Sequence, residues 1–172
     1  MKDVMIDIET LGKVPGSPIL SIGAVYFDRD GNIGDMYYGG MGFNGIAVGK
    51  ADADTLEFWS RQSSKAVASL LTGNKTPNQV ARELSDFISE DVRVWGNGSI
   101  FDISLLEFWF HEQNMEVPWK FWNVRDVRTV VDLFKIDYKS YPFEGIVHNA
   151  LDDAIHQVKY MTDGMKGFDI AK

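Results

Sequence analysis

The sequence contains no cysteine, and no apolar run in it approaches the ~20 residues that a membrane helix requires. Without a thiol the chain can form neither a disulfide nor a thiolate zinc site, which excludes the zinc-finger class and fits a cytoplasmic location. The first residues, Met1 to Asp3, lead directly into a strand-like run without the pattern of a signal peptide. We therefore expect no association with a membrane.

Positive charge is scarce as well, since 25 acidic residues outnumber 17 lysines and arginines and the net charge is −8. This imbalance argues against broad, non-specific binding to the backbone of duplex nucleic acid. It leaves room for a site that holds only a few nucleotides and carries its own cations. Apolar residues make up 45% of the chain, which is typical of a well-packed globular protein, and the length predicts one domain over residues 1–172.

The pattern of apolar and turn residues predicts a hairpin first and then alternating helices and strands. Strands are predicted at residues 4–8, 19–27, 33–38, 92–95 and 123–127. Helices are predicted to begin near Asp54, at Thr76-Pro77, at Asp102, after the fifth strand and at His148, and the last is expected to reach about Met161. The glycine-rich segment 39–49 and residues 138–147 are predicted loops. This order predicts an α/β protein with a mixed sheet and helices on its faces.

Two carboxylates stand at the end of the first predicted strand, in the run Met5-Ile6-Asp7-Ile8-Glu9-Thr10. Because Asp7 and Glu9 are two residues apart, a strand projects both side chains from one face. Buried side by side they repel each other, and a divalent cation such as Mg²⁺ or Mn²⁺ is the usual means of neutralising such a pair. The alternative is that Asp7 ends the strand and Glu9 is solvated in a turn.

A third acid, Asp102, follows the glycine turn Gly96-Asn97-Gly98 that ends the fourth predicted strand. Its side chain is therefore expected beyond the carboxyl end of that strand, where the ligands of α/β sheets gather. The alternative is that Asp102 only stabilises the N-terminus of a helix.

The run His148-Asn149-Ala150-Leu151-Asp152-Asp153 places a histidine at the start of the last helix and acids about one turn later. A histidine and an acid in this arrangement can serve as base and metal ligand in one pocket. The apolar stripe of the helix does not choose between Asp152 and Asp153, since both lie about equally far from its centre. The alternative is a capping histidine followed by an exposed acidic first turn.

In this order and with these separations, the D-x-E, the later Asp and the H-x4-D resemble the DEDDh 3′-5′ exonuclease family. That family includes ribonuclease T, oligoribonuclease and the proofreading subunit of bacterial replicative polymerase. The resemblance extends from Asp7 to Asp153, and the runs 55–62 and 123–129 are most similar to compact phage and bacterial members. It implies a ribonuclease-H-like fold with a five-stranded mixed sheet flanked by helices. It also implies hydrolysis at the 3′ end of single-stranded DNA or RNA, with release of nucleoside 5′-monophosphates.

The resemblance implies a role for each polar position. Asp7, Glu9 and Asp153 are expected to hold one cation, and Asp102 is expected to support a second that shares Asp7. His148 is expected to be the general base, with a pKa near its ordinary value of ~6.5. Two cations, Mg²⁺ or Mn²⁺, would clamp the attacking and leaving oxygens of the displacement at phosphorus.

Six further positions are expected, by the same resemblance, to contact the terminal nucleotide: Thr10, Leu11, Gly12, Trp59, Gln62 and Phe101. The two aromatic residues have an alternative, which is to belong to the core. A terminal nucleotide has to enter the pocket unpaired, so a single-stranded 3′ end with bases stacked on aromatic faces is the expected substrate. The sequence favours neither DNA nor RNA.

Two other functions fit a related fold, namely a non-catalytic nucleic-acid-binding module and a structure-specific endonuclease. A binding module has no need of a general base, and the related endonucleases lack an H-x4-D base at this position. A weak homodimer is expected because several family members pair. The helix 103–113 also carries more large apolar residues than one buried stripe requires: Leu105, Leu106, Phe108, Trp109 and Phe110. A core helix against a thick sheet is the alternative.

Overall fold

The structure is a computed structural model that describes residues 1–47 and 49–166. Its centre is a five-stranded sheet in the order β3-β2-β1-β4-β5. The strands are β1 (Asp3–Thr10), β2 (Ile19–Phe27), β3 (Ile33–Gly40), β4 (Arg93–Gly96) and β5 (Val124–Asp126). The pairs β1–β2 and β2–β3 are antiparallel and the pairs β1–β4 and β4–β5 are parallel, so the predicted mixed sheet is confirmed.

Six α-helices occur in the described part of the chain: α1 (Ala53–Ser60), α2 (Ser64–Leu71), α3 (Pro77–Phe87), α4 (Ser99–Glu112), α5 (Val127–Leu133) and α6 (Ala150–Met165). Short 3₁₀ helices lie at Gly42–Ala47, Phe121–Asn123 and Tyr138–Ser140. Among residues 1–47 and 49–166, no helix has the length and apolar character needed to cross a membrane.

The two faces of β1 pack against different helices because its side chains alternate. Val4, Ile6 and Ile8 belong to the core cluster that includes residues of α3 and α4. Met5 belongs to the opposite cluster, which contains residues of α6. Asp7 and Glu9 share the parity of Met5, so they project toward the side of the sheet on which α6 packs.

A glycine on β2 lets the start of α6 come close to the sheet. Gly23 pairs with Asp7 across the β1–β2 ladder. A Cβ built on Gly23 would overlap the backbone of Ala150 and Leu151, the first two residues of α6. Only glycine permits this approach, which carries the first turn of α6 to the acidic end of β1.

Several element boundaries differ from the sequence prediction for local reasons. The helix expected from Asp54 begins at Ala53, because the Asp52 side chain accepts a hydrogen bond from the Asp54 N–H and is the N-cap. The helix expected from Asp102 begins at Ser99, directly after the left-handed Gly98. The helix expected from His148 begins at Ala150, capped by Asn149, and continues to Met165.

Two segments were interpreted wrongly or missed. The predicted exposed loop 39–49 begins instead with the end of β3, and Gly39, Gly40 and Met41 are buried there. The 3₁₀ helix Gly42–Ala47 follows. The sequence interpretation also missed α2, although Ser63 caps it by accepting a hydrogen bond from the Ala66 N–H. The end of the predicted domain, residues 167–172, and Val48 lie outside the described residues.

The apolar residues of α4 are mostly accounted for by the core. Leu105, Leu106, Trp109 and Phe110 are all nearly inaccessible to solvent, and Phe108 alone of the five stays 42% exposed. Most of the large apolar residues that led us to expect a dimer are therefore explained by the packing of α4 as a core helix on the sheet.

Candidate active site

A cavity of about 650 Å³ opens where the carboxyl ends of β1 and β4 meet the start of α6. Its lining includes four acids that we call the carboxylate cluster: Asp7, Glu9, Asp102 and Asp153. His148 lines the same cavity. The structure thus brings together side chains that are up to 146 positions apart in the sequence, counted from Asp7 to Asp153.

Asp7 lies at the bottom of the cavity and receives only a neutral hydrogen-bond donor. The Nε2 of Gln157 on α6 donates to Asp7 Oδ1 at 2.7 Å. Burial raises the pKa of Asp7 well above its ordinary value, and the nearby charges of Asp102, Glu9 and Asp153 raise it further. The surroundings of Asp7 therefore disfavour its charged form unless a cation binds beside it.

Glu9 and Asp153 face each other across the gap between β1 and α6. Burial raises the pKa of Glu9 well above its ordinary value, and the next contributions come from Asp153 and Asp102. Burial also raises the pKa of Asp153 to about 7, although the His148 N–H opposes this by donating to Asp153 Oδ2 at 3.1 Å. The two acids therefore form a close pair that favours sharing a proton or binding a cation.

Asp102 enters the cavity from the first turn of α4. Burial raises the pKa of its carboxyl to about 7, against the positive charge of Arg128 and hydrogen bonds from the Ile8 and Asn97 backbone. These backbone bonds tie the end of β1 and the turn after β4 to one side chain. Asp102 lies in the first turn of α4, where the alternative interpretation also placed it, and only 3% of the residue is exposed.

His148 precedes the N-cap of α6 and has a left-handed backbone with φ of 64°, which is rare for a residue with a side chain. Its ring stacks edge-to-face on Phe58 and Trp59 of α1, with centroid distances of 5.1 and 5.9 Å. Burial lowers the pKa of His148 below its ordinary value, so the expectation of an unshifted pKa is wrong.

The donor set fits divalent cations. Ligand atoms of Glu9, His148 and Asp153 all lie within 4.8 Å of one another, which is a spacing that one metal ion can bridge. The basic residues of the lining are Lys13 and Arg128, and Lys13 already pairs with two acids outside the cluster. The four carboxylates therefore exceed the positive charge near them, and hard oxygen ligands of this kind suit Mg²⁺ or Mn²⁺.

The structure separates the two candidate acids on α6. Asp153 lines the cavity, whereas Asp152 Oδ2 accepts a hydrogen bond from the Ile146 N–H at 2.8 Å and does not line it. Asp152 therefore fixes the loop that leads into α6.

Of the six residues expected to contact the nucleotide, four line the cavity: Thr10, Gly12, Trp59 and Phe101. The indole N–H of Trp59 donates to the Thr10 carbonyl at 2.9 Å, so Trp59 also holds the end of β1. Leu11 packs in a small apolar cluster. Gln62 donates to the Phe58 carbonyl and lies outside the lining.

Sequence reasoning missed several lining residues, among them Phe58, Arg128, Tyr138, Phe143, His156, Gln157 and Tyr160. One helical spacing could have indicated Gln157, because it lies four residues after Asp153 and so shares its face of α6. Phe58 is next to the predicted Trp59 and is 42% exposed. Arg128 lies in the run 123–129 that resembles compact family members, and His156 and Tyr160 lie further along α6.

Solved structures with the same fold support this architecture. E. coli exonuclease I in complex with a dT13 oligonucleotide matches with a TM-score of 0.66 and 10% identity, covering 95% of this chain and 41% of that chain. S. pombe Pop2p in its Mg²⁺- and Mn²⁺-bound form matches with a TM-score of 0.62 and 15% identity, covering 97% of this chain and 84% of the Pop2p chain. An exonuclease I from Methylocaldum szegediense matches with a TM-score of 0.64 and 12% identity, covering 96% of this chain and 40% of that exonuclease.

The chain spans about two fifths of the length of the exonuclease I structures that it matches. At these identities the likeness establishes the fold, which is the predicted ribonuclease-H-like exonuclease fold. No curated protein matches the chain at a significant level.

A family model assigns the chain more specifically. The model described as the 3′-5′ exoribonuclease Rv2179c-like domain matches residues 2–165, which include the carboxylate cluster and His148. The exonuclease family expected from the sequence motifs is thereby confirmed. The chain belongs to the family of Rv2179c-like 3′-5′ exoribonuclease domains.

Proposed function

We propose that this chain removes nucleotides one at a time from the 3′ end of single-stranded RNA, with divalent cations held by the carboxylate cluster. The observation that carries the proposal is the set of four acids around one cavity, with Glu9 and Asp102 buried, Asp7 and Asp153 half-buried, and little positive charge beside them. RNA rather than DNA follows from the exoribonuclease description of the family model.

The residues fit two Mg²⁺ or Mn²⁺ ions. Asp7, Glu9 and Asp153 would hold one, and Asp102 with Asp7 would hold the other. When bound, the ions would neutralise the cluster and stabilise the negative charge that develops on the phosphoryl oxygens. Pop2p, which shares the fold, has a structure with both kinds of ion bound.

His148 supplies the proton acceptor. In the hydrolysis a water oxygen forms a bond to phosphorus, and the bond from phosphorus to the 3′ oxygen of the preceding nucleotide breaks. The electron pair of that bond stays on the 3′ oxygen, which takes up a proton from solvent water. His148 accepts the proton that the water loses, and a nucleoside 5′-monophosphate leaves. Because burial lowers the pKa of His148, its ring is neutral and able to accept a proton at physiological pH.

The cavity suits one unpaired nucleotide. Its volume of about 650 Å³ is within the range of sites that enclose a single small ligand. Aromatic side chains from separate elements line it. Phe58 comes from α1, Phe101 comes from α4, and Tyr138 and Phe143 come from the segment that precedes α6. Such faces stack on bases without regard to sequence, which is what an exonuclease needs as it proceeds along a strand.

The proposal is tested by a time course on RNA and DNA of the same sequence, labelled at the 5′ end, with Mg²⁺, Mn²⁺ or EDTA. We expect a ladder of products that shortens from the 3′ end, faster on RNA and absent in EDTA. A circular single-stranded RNA is the control, since it has no 3′ end and should persist. Cleavage of the circle would indicate an endonuclease, and binding without shortening would indicate a non-catalytic module.

A homodimer and a cytoplasmic location stay predictions. The structure leaves Phe108 and Ile100 as large exposed apolar residues of α4, at 42% and 86% exposure. A dimer that used this helix would therefore bury these two side chains. Light scattering at micromolar concentration tests it, and a monomer mass for the wild type would contradict it.

A further inference from the structure

Gln157 on α6 occupies an unusual position between the helix and β1. Its side chain is buried, with 5% of the residue exposed, and its Nε2 donates to Asp7 Oδ1 at 2.7 Å. The two residues are 150 positions apart in the sequence, so the contact is made by the tertiary fold. Its Oε1 is buried and has no hydrogen-bond partner among residues 1–47 and 49–166.

This contact determines how Asp7 can present its carboxylate. A donor on Oδ1 fixes the orientation of the carboxyl plane and leaves Oδ2 without a hydrogen bond from Gln157. The donor is neutral, so it orients Asp7 without supplying the positive charge that would compete with a cation. A lysine or arginine in the same place would orient the carboxylate and also neutralise it.

The position of Gln157 on α6 links it to a second acid. Asp153 lies four residues earlier, so both side chains project from one face of the helix. The helix therefore brings one acid to the cavity directly and orients another acid on β1. A movement of α6 relative to the sheet would disturb both at once.

We propose that Gln157 is a positioning residue that fixes the Asp7 carboxylate for cation binding. This rests on the proposed function only in taking Asp7 to be a cation ligand. Hydrogen-bond partners of metal ligands commonly change metal affinity or activity about 10–100-fold when they are removed.

The test compares Gln157→Met, which keeps the length of the side chain and removes the amide, with a control on the same helix. The control is Thr162→Val, since Thr162 is 1% exposed and its hydroxyl donates to the Val158 carbonyl away from the cavity. Mn²⁺ is titrated calorimetrically into the EDTA-treated full chain. RNA hydrolysis is then measured as a function of Mn²⁺ concentration and of RNA concentration.

We expect Gln157→Met to raise the Kd for Mn²⁺ about 10–100-fold, while Thr162→Val leaves it unchanged. Turnover of Gln157→Met should recover at saturating Mn²⁺, and KM for RNA should stay at the wild-type value. An unchanged Kd would overturn the proposal. If KM for RNA rose at the same time, Gln157 would act on the substrate instead of on the cation site. If Gln157→Met does not fold, Gln157→Asn replaces it, because the shorter amide cannot reach Asp7.

The outcomes also separate this inference from the proposed function. If the wild type binds Mn²⁺ and Gln157→Met weakens the binding, but neither hydrolyses RNA, the positioning role stands and the proposed activity fails. If the wild type binds no Mn²⁺, the positioning role itself is overturned.

Discussion

The carboxylates at the two ends of β1, Asp3 and Asp7, have opposite electrostatic surroundings. At one end Asp3 accepts hydrogen bonds from Arg93 Nε at 2.6 Å and from Trp95 Nε1 at 2.8 Å, and it forms an ion pair with Arg93. At the other end, on the same face of the strand, Asp7 has the neutral Gln157 as its donor, and its ionisable neighbours are acids.

The difference distinguishes a structural acid from a functional one. At Asp3 the chain supplies its own cation, so the charge is satisfied as soon as the protein folds. At Asp7 the pKa is raised by burial and by three further acids, so folding disfavours the charged form of this carboxyl until a cation binds beside it. Strongly perturbed acids in a cavity are typical of functional sites for this reason.

The sharpest way to break this comparison is to remove the charge at each end in turn. Asp7→Asn should abolish measurable hydrolysis, because the charge stabilisation supplied by metal ions is worth several kcal/mol, which corresponds to about 10³-fold or more. Without metal at pH 8, the same change should raise Tm. Folding raises the pKa of Asp7, so the wild-type protein loses stability as the pH rises from the unfolded pKa of this group through its folded pKa. The asparagine side chain carries no charge, so the variant does not lose stability in this way.

Asp3→Asn is the matched change, and it should have the opposite pattern. It leaves the partly buried Arg93 without its charge partner, so we expect a loss of about 1–3 kcal/mol in the free energy of unfolding. The turnover of the folded protein should be close to that of the wild type. Hydrolysis assays and thermal melts of both variants check this, and equal effects on activity would contradict the distinction.

His148→Ala should lower kcat by ~10²–10⁴ at pH 7.5, since a general base usually contributes that much. Because burial lowers the pKa of His148, the midpoint of the acid limb of the wild-type kcat profile should lie below about pH 6.5, and the variant should lose that limb. The Kd for Mn²⁺ serves as the control. A large rise in Kd with a small change in kcat at saturating Mn²⁺ would make His148 a ligand instead of a base.

A smaller effect is expected from moving α6 without changing any polar group. In Gly23→Ala the added Cβ overlaps the backbone of Ala150 and Leu151, which cannot rotate away. We expect a loss of about 1–3 kcal/mol in stability and up to ~10²-fold in kcat, because Asp153 shifts relative to Asp7.

Gly34→Ala on β3 is the control for this variant, since its closest contact is the flexible end of the Met1 side chain. It should leave kcat unchanged and cost less stability. Melts and steady-state kinetics of both variants measure the two effects. Wild-type kcat in Gly23→Ala would show that the approach of α6 does not position the cluster.

The sequence predicted those parts of the site that depend on local spacing. The parity of Asp7 and Glu9 on a strand was sufficient to place them on one face, and the spacing from His148 to Asp153 followed from the family resemblance. The spacing from Asp153 could have placed Gln157 on the cavity side of α6, but its contact with Asp7 spans 150 positions, and no local pattern encodes that contact. The left-handed backbone of His148 is held by the packing of its ring on α1, which is also a tertiary effect.

The fold was predicted to a similar extent. The succession of strands along the chain and the Thr76-Pro77 start of α3 follow from alternation and capping, which are local signals. The burial of Gly39 and Gly40 could not be inferred, because a glycine-rich run resembles a loop until the closely packed neighbours are known. A Cβ on Gly40 would crowd the Thr72 carbonyl, so these glycines serve close packing.

The central claim is that the carboxylate cluster binds divalent cations. A calorimetric titration of Mn²⁺ into EDTA-treated protein tests it most directly. Measured at pH 6.5 and pH 8 in buffers of different ionisation enthalpy, it also counts the protons released. Since the pKa values of Asp102 and Asp153 are raised to about 7 without metal, we predict saturable binding with more protons released at pH 6.5 than at pH 8. Asp3→Asn should bind as the wild type does, and Asp7→Asn should bind weakly. Absence of saturable binding at both pH values, or equal binding by Asp7→Asn and the wild type, would contradict the account.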